Sequence, residues 1–162
     1  MREDLHRWTR RPTPRTSPCA YDWLVAGRID LNADVVAAIK DGTVRVTTST
    51  AFGTSGVTML AGRLIFGSVT IANPITVVSN VIFEVGGNST YTGLLTGTNT
   101  LDFQIDGTET FTWNVPSNQL AGFSGTILIR PGGGFFRFNG SRGSAAATFD
   151  LTGSTATINS AA

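Results

Sequence analysis

The chain has 162 residues and a formal net charge of only +1, with 41% apolar and 14% charged side chains. That balance excludes an intrinsically disordered chain, which combines low hydrophobicity with high net charge, and it excludes a general nucleic-acid binder, which needs a dense basic surface. One cysteine, Cys19, and one histidine, His6, exclude an intramolecular disulfide and leave too few nitrogen and sulfur ligands for a zinc site.

Charge is concentrated at the start. The first 42 residues hold seven of the twelve basic and six of the eleven acidic groups, and eleven of the twelve cations are arginine. Residues 1–18 carry Pro12, Pro14 and Pro18 among five arginines. Proline removes amide donors and blocks helix, so this stretch reads as a disordered, solvated tail, with a basic arm for an anionic partner as the alternative. No apolar segment of signal-peptide type follows it. The longest apolar runs, such as Val35-Val36-Ala37-Ala38-Ile39, fall well short of the ~20 residues that span a bilayer.

Residues 19–42 are expected to form a short helical cap. Asp30 or Asn32 stands where an N-cap belongs, the helix runs over Ala33–Lys40, and Gly42 stops it. Its apolar side chains would cover the open end of the β-region that begins at Thr43.

From Thr43 to the last residue the pattern is short β-runs separated by Gly, Asn and Ser. The runs are 43–48, 63–71, 75–85, 100–105, 110–115, 125–130, 135–138, 147–151 and 155–158. Several alternate strictly, as in Leu101/Phe103/Ile105 and Phe111/Trp113/Val115, which places one set of side chains on one face. Strand centres recur: Phe83 to Phe103 is 20 residues, Phe103 to Ile127 is 24, and Ile127 to Phe149 is 22. A second series runs Trp113, Phe136, Ile158 at 23 and 22. Each unit thus holds two main strands, and a period in this range marks a solenoid. The fold class is all-β, a right-handed parallel β-helix. A β-sandwich is the alternative, since it also shows short alternating strands. The ladder Phe83, Phe103 and Phe149, with Ile127 between, reads as core stacking.

Residues 122–162 carry Phe123-Ser124-Gly125-Thr126, the strand Ile127–Arg130, the strand Phe135–Asn139 and the strand Ala147–Leu151. With the turn GNSTYTGLLT at 87–96, this resembles the autotransporter-associated β-strand repeat family over roughly residues 83–162. The resemblance implies a rung stack in a secreted or cell-surface bacterial protein, a passenger or adhesin-like stalk with no shared catalytic motif. It further implies that the chain is a fragment of a longer stack and that its neighbours are further repeats or surface glycans.

Candidate chemistry is sparse. Many parallel β-helices cleave polysaccharides with carboxylates, and here Asp102, Asp106 and Glu109 cluster around one strand. A 24-residue offset would set Asp106 beside Arg130 as a surface ion pair. Calcium needs six or more oxygens, more than these residues supply. No cofactor is implied. His6 lies in the tail, so the strand region has no histidine base for a catalytic triad. Trp113, Tyr91 and Arg137 are the candidate ligand-binding residues, as a patch on which a sugar ring would stack. Threonines at 43, 47, 48, 108, 110 and 112 suggest a hydroxylated outer surface for glycan or ice, although threonine is also simply a good strand former. The reading is a structural stalk without catalysis, with a pectate-lyase-like enzyme segment or a carbohydrate-binding module as alternatives.

Overall fold

A computed structural model describes residues 37–115, 120, 122–130, 132–140, 146–152 and 156–159. The expected tail at 1–18 and most of the expected cap lie outside them.

The chain winds through three strands per rung. The first rung supplies β1 (Ala37–Ile39) and β2 (Thr43–Val46). The next holds β3 (Val57–Met59), β4 (Arg63–Phe66) and β5 (Thr70–Ile71), and the third β6 (Ile75–Val77), β7 (Val81–Val85) and β8 (Ser89–Tyr91). The fourth holds β9 (Leu95–Gly97), β10 (Leu101–Ile105) and β11 (Thr110–Val115), and the fifth β12 (Gly122–Phe123), β13 (Thr126–Ile129) and β14 (Phe135–Gly140). After these come β15 (Thr148–Asp150) and β16 (Ala156–Asn159).

Equivalent strands pair one rung apart and form three sheets. The first is β1-β3-β6-β9-β12, the second β2-β4-β7-β10-β13-β15, and the third β5-β8-β11-β14-β16. Every pairing among them is parallel, as in Leu101↔Val81 and Phe111↔Phe136. The chain is therefore a parallel β-solenoid, and the β-sandwich, whose sheets are antiparallel, is excluded.

Inward positions alternate with outward ones along each strand, so the interior fills with one apolar column per inward position. In the second sheet, Val44, Leu64, Phe83, Phe103 and Ile129 stand in line. In the third, Ile71, Tyr91, Trp113 and Phe138 do the same. These side chains are almost completely buried. Their rings meet edge to face or tilted: Phe66–Phe83 at 5.1 Å between centroids, Phe83–Phe103 at 5.3 Å, Phe103–Phe111 at 4.9 Å and Phe103–Phe136 at 5.0 Å. Such pairs contribute about 0.5–1.5 kcal/mol each beyond the burial of their area.

Four details differ from the sequence reading. First, each rung holds three strands, not two, because the runs 63–71 and 75–85 each turn a corner. Ser68 adopts a left-handed φ of 61° between β4 and β5, and Val78-Ser79-Asn80 separate β6 from β7. Second, the step after Phe103 is 26 residues: Leu101 pairs with Ile127 and Phe103 with Ile129. Six residues join β11 to β12 where three join β8 to β9, which lengthens that rung. Phe149 consequently continues the column of Leu101 and Ile127 rather than that of Phe83 and Phe103. Third, Trp113 pairs with Phe138, and Phe111 with Phe136.

Fourth, the helix expected over Ala33–Lys40 is replaced in its described part by β1, paired with β3 through Ala37↔Val57 and Ile39↔Met59. A two-turn helix is marginal on its own. The parallel ladder instead gives the backbone partners one rung away and buries Ile39.

The corners are held by side-chain amides that reach across rungs. Asn73, itself buried, donates to the carbonyls of Gly53 and Ser55 at 3.0 and 2.7 Å. Asn80 and Asn88 accept from the amides of Thr100 and Thr110 at 3.0 and 2.8 Å, and Asn99 donates to Val78 at 2.7 Å. Gly97 closes β9 with φ of 125°, and a Cβ there would run into the Val77 carbonyl oxygen of the rung before.

Two substitutions test this packing. Phe103→Ala opens a cavity at the centre of the ring cluster and should lower stability by about 3–5 kcal/mol in urea denaturation. Phe135→Ala, on an exposed side chain of the same rung system, should leave the midpoint nearly unchanged. Equal shifts for the two would contradict the assigned inward face.

Candidate functional site

The residues expected to bind a ligand do not converge. Tyr91 and Trp113 occupy the same inward column, 5.6 Å apart between ring centroids, and both are fully buried. Arg137 pairs with Thr112 on β14 and is exposed, so it points out of the opposite face of the third sheet. The period-two alternation that made Phe111, Trp113 and Val115 one face also puts residue 113 inside and the partner of residue 112 outside. The sugar-stacking patch is not formed.

Inside, Tyr91 has a structural role. Its hydroxyl donates toward the carbonyls of Leu94 at 2.9 Å and Asn73 at 3.2 Å, tying the third sheet to the corners that open the next rung and its own. Burial pushes its phenol above the ordinary range, with a backbone hydrogen bond at Ile75 pulling the other way. The indole Nε1 of Trp113 is buried without a hydrogen-bond partner.

The carboxylates are likewise separated. Asp102 lies on the outer face of β10, Asp106 is exposed at the turn after it, and the Glu109 carboxylate folds back over Gly107. Among the described residues, no three His, Cys, Asp or Glu side chains stand close enough to hold a metal ion.

The outer face of the second sheet does contain a built arrangement. Arg130, just past β13, reaches diagonally back to Asp102. Its Nε donates to Oδ1 and Oδ2 at 3.1 and 3.0 Å, and its Nη2 donates to Oδ2 at 2.9 Å. The expected partner is Asp106; the 26-residue step places Arg130 opposite Gln104 rather than Asp106, and its guanidinium turns to Asp102. These hydrogen bonds, and then the opposite charges, push the guanidinium further up from its already high value. The pair borders a groove of about 320 Å³ lined by Asn80, Ile82, Thr100 and Leu128. Arg63 and Glu84 form a second ion pair on the same face. Farther along, the Thr152 hydroxyl and amide donate to Asp150 at 2.6 and 3.1 Å and hold its carboxyl below the usual range.

Chemically, this face is a set of paired charges with half-buried Ile65, Ile82 and Leu128 between them. Asp102 already accepts three hydrogen bonds from Arg130, so it is poorly placed to take a proton from a substrate. The groove residues Asn80 and Leu128 carried no signal in the sequence, because their proximity depends on the register across rungs of unequal length. No protein-family model, curated protein or solved structure matches this chain.

The raised phenol of Tyr91 makes stability depend on alkaline pH. The contribution is fully present below the unfolded phenol's value of about 10 and is lost as pH rises from there toward the folded value. Tyr91→Phe should be less stable by about 1 kcal/mol at neutral pH, for the lost hydrogen bonds. Its stability should fall less steeply above pH of about 10 than that of the wild type, as read from urea midpoints at a series of pH values. Identical alkaline slopes would remove Tyr91 from the explanation.

Proposed function

We propose that this chain is a structural rung stack of a secreted or surface-exposed bacterial protein, a passenger- or adhesin-like stalk that spaces or presents a binding region and performs no catalysis of its own. The observation that carries the reading is the unbroken apolar column shared by three in-register parallel sheets. Such an interior makes length additive: each rung buries its inward residues against the next, and no rung depends on distant contacts. The outer charges of the second sheet fit the same role, because Asp102–Arg130 and Arg63–Glu84 are matched to each other across rungs. The resemblance of residues 83–162 to autotransporter-associated β-strand repeats supports the secreted setting. Surface glycans and further rungs of a longer chain are the partners that this reading names.

A polysaccharide-cleaving segment fits less well, since Asp102, Asp106 and Glu109 point to different places. The test joins location and activity. Intact source cells, or their culture medium, should yield the protein to externally added protease or antibody, and the purified chain should not cleave pectin or alginate. Recovery only from the cell interior would overturn the surface role. Cleavage abolished by Asp102→Ala would transfer the chain to the enzymes.

A further inference from the structure

The three outer faces differ sharply in charge. The second sheet presents Arg45, Arg63, Glu84, Asp102, Arg130 and Asp150, and the third presents Arg137. The first sheet is different. Its three central strands, β3, β6 and β9, and their corners at 54–62, 72–80 and 92–100 contain no charged residue, and the exposed Lys40 and Asp41 follow β1 at one end of the sheet. Its outward central positions are Thr58, Thr76 and Thr96, paired one above the other in successive rungs. Thr96 donates its hydroxyl to Thr76 at 2.9 Å. Beside this column stand Pro74 and Leu94 on one flank and Leu60 and Val78 on the other. Val78 and Leu94 are 48% and 39% exposed, two of the three large apolar side chains left exposed among the described residues.

We propose that this uncharged threonine face of the first sheet adsorbs to ice. A parallel stack repeats its hydroxyls and methyls at about 4.8 Å along the rungs, a spacing close to a lattice repeat of ice. Each hydroxyl offers one donor and two acceptor positions, so the Thr96–Thr76 bond still leaves both oxygens able to engage lattice water. The threonine methyls and the exposed Val78 and Leu94 line that array with groups that do not compete for those hydrogen bonds. Ions would impose hydration shells that do not fit a neutral lattice, and the three central rungs of this face, between β3 and β9, carry none.

Other occupants fit the same surface less well. A second copy of the chain would find three uncharged rungs by about five residues, on the order of 240 Å², against the ~800 Å² per partner of a stable interface. A polysaccharide would find no exposed ring on which to stack, since the exposed Phe135 lies on the third sheet. The inference is independent of the stalk role, which concerns the interior and the setting of the chain.

The experiment uses the full chain in ice-recrystallisation inhibition and ice-crystal shaping assays, with folding checked by circular dichroism. The wild type should slow recrystallisation and facet the crystals. Thr76→Lys should abolish both effects, and Thr76→Ser, which keeps the hydroxyl and removes the methyl, should weaken them. Thr112→Lys, on the outer face of the third sheet, should leave them intact. Should Thr76→Lys fail to fold, Thr58→Lys on the adjacent rung takes its place. A folded wild type without effect on ice overturns the proposal, as does equal activity in the Thr76→Lys and Thr112→Lys proteins. Co-sedimentation with crystalline cellulose or chitin in place of ice activity would do the same and would assign the face to a neutral polysaccharide.

Discussion

The fold depends on one constraint: inward side chains must stand in register from rung to rung. A strand of three or four residues cannot bury its own apolar side, and its backbone groups find partners only in the equivalent strand above or below. Both needs are met at once when Phe83 sits over Phe103 and Tyr91 over Trp113. The same requirement explains the corners. Asn73, Asn80, Asn88 and Asn99 supply the hydrogen bonds that the chain loses where it turns from one sheet to the next.

Much of this was legible in the sequence from residues 83 to 115. Alternation in Leu101/Phe103/Ile105 and Phe111/Trp113/Val115 identified the inward face, and the 20-residue spacing of Phe83 and Phe103 gave the correct register. The first sheet was not legible, for a physical reason. Its strands, such as Val57–Met59 and Leu95–Gly97, are three residues long, too short for alternation to stand out from a turn. Without that sheet, the unit looked like two strands instead of three. The short β1 was hidden in another way: Ala37-Ala38-Ile39 has helical propensity, and only the partner strand β3, distant in sequence, decides against a helix.

The candidate site shows where residue-level reasoning stops. Tyr91, Trp113 and Arg137 are the right types for a sugar site, but residue type says nothing about which face a residue occupies. Parity along the strand does, and it divides them. Asp102 and Arg130 were both visible, yet their pairing required the true length of the fourth rung. The extra residues between β11 and β12 lengthen the offsets that span them while leaving each sheet intact. Corner length and strand register are thus uncoupled, and a fixed period applied across this sequence misplaces partners by two residues.

The direction of the hydrogen bonds has a mechanical consequence. In every sheet they run from rung to rung, along the axis of the stack rather than across it. Tension applied along that axis loads the bonds between the outermost rung and its neighbour first, and these break in succession as the strand is peeled away. Resistance is therefore set by single rungs and does not grow with their number. A rung released in this way also frees its corners, so the chain lengthens in steps and yields a little at a time under load.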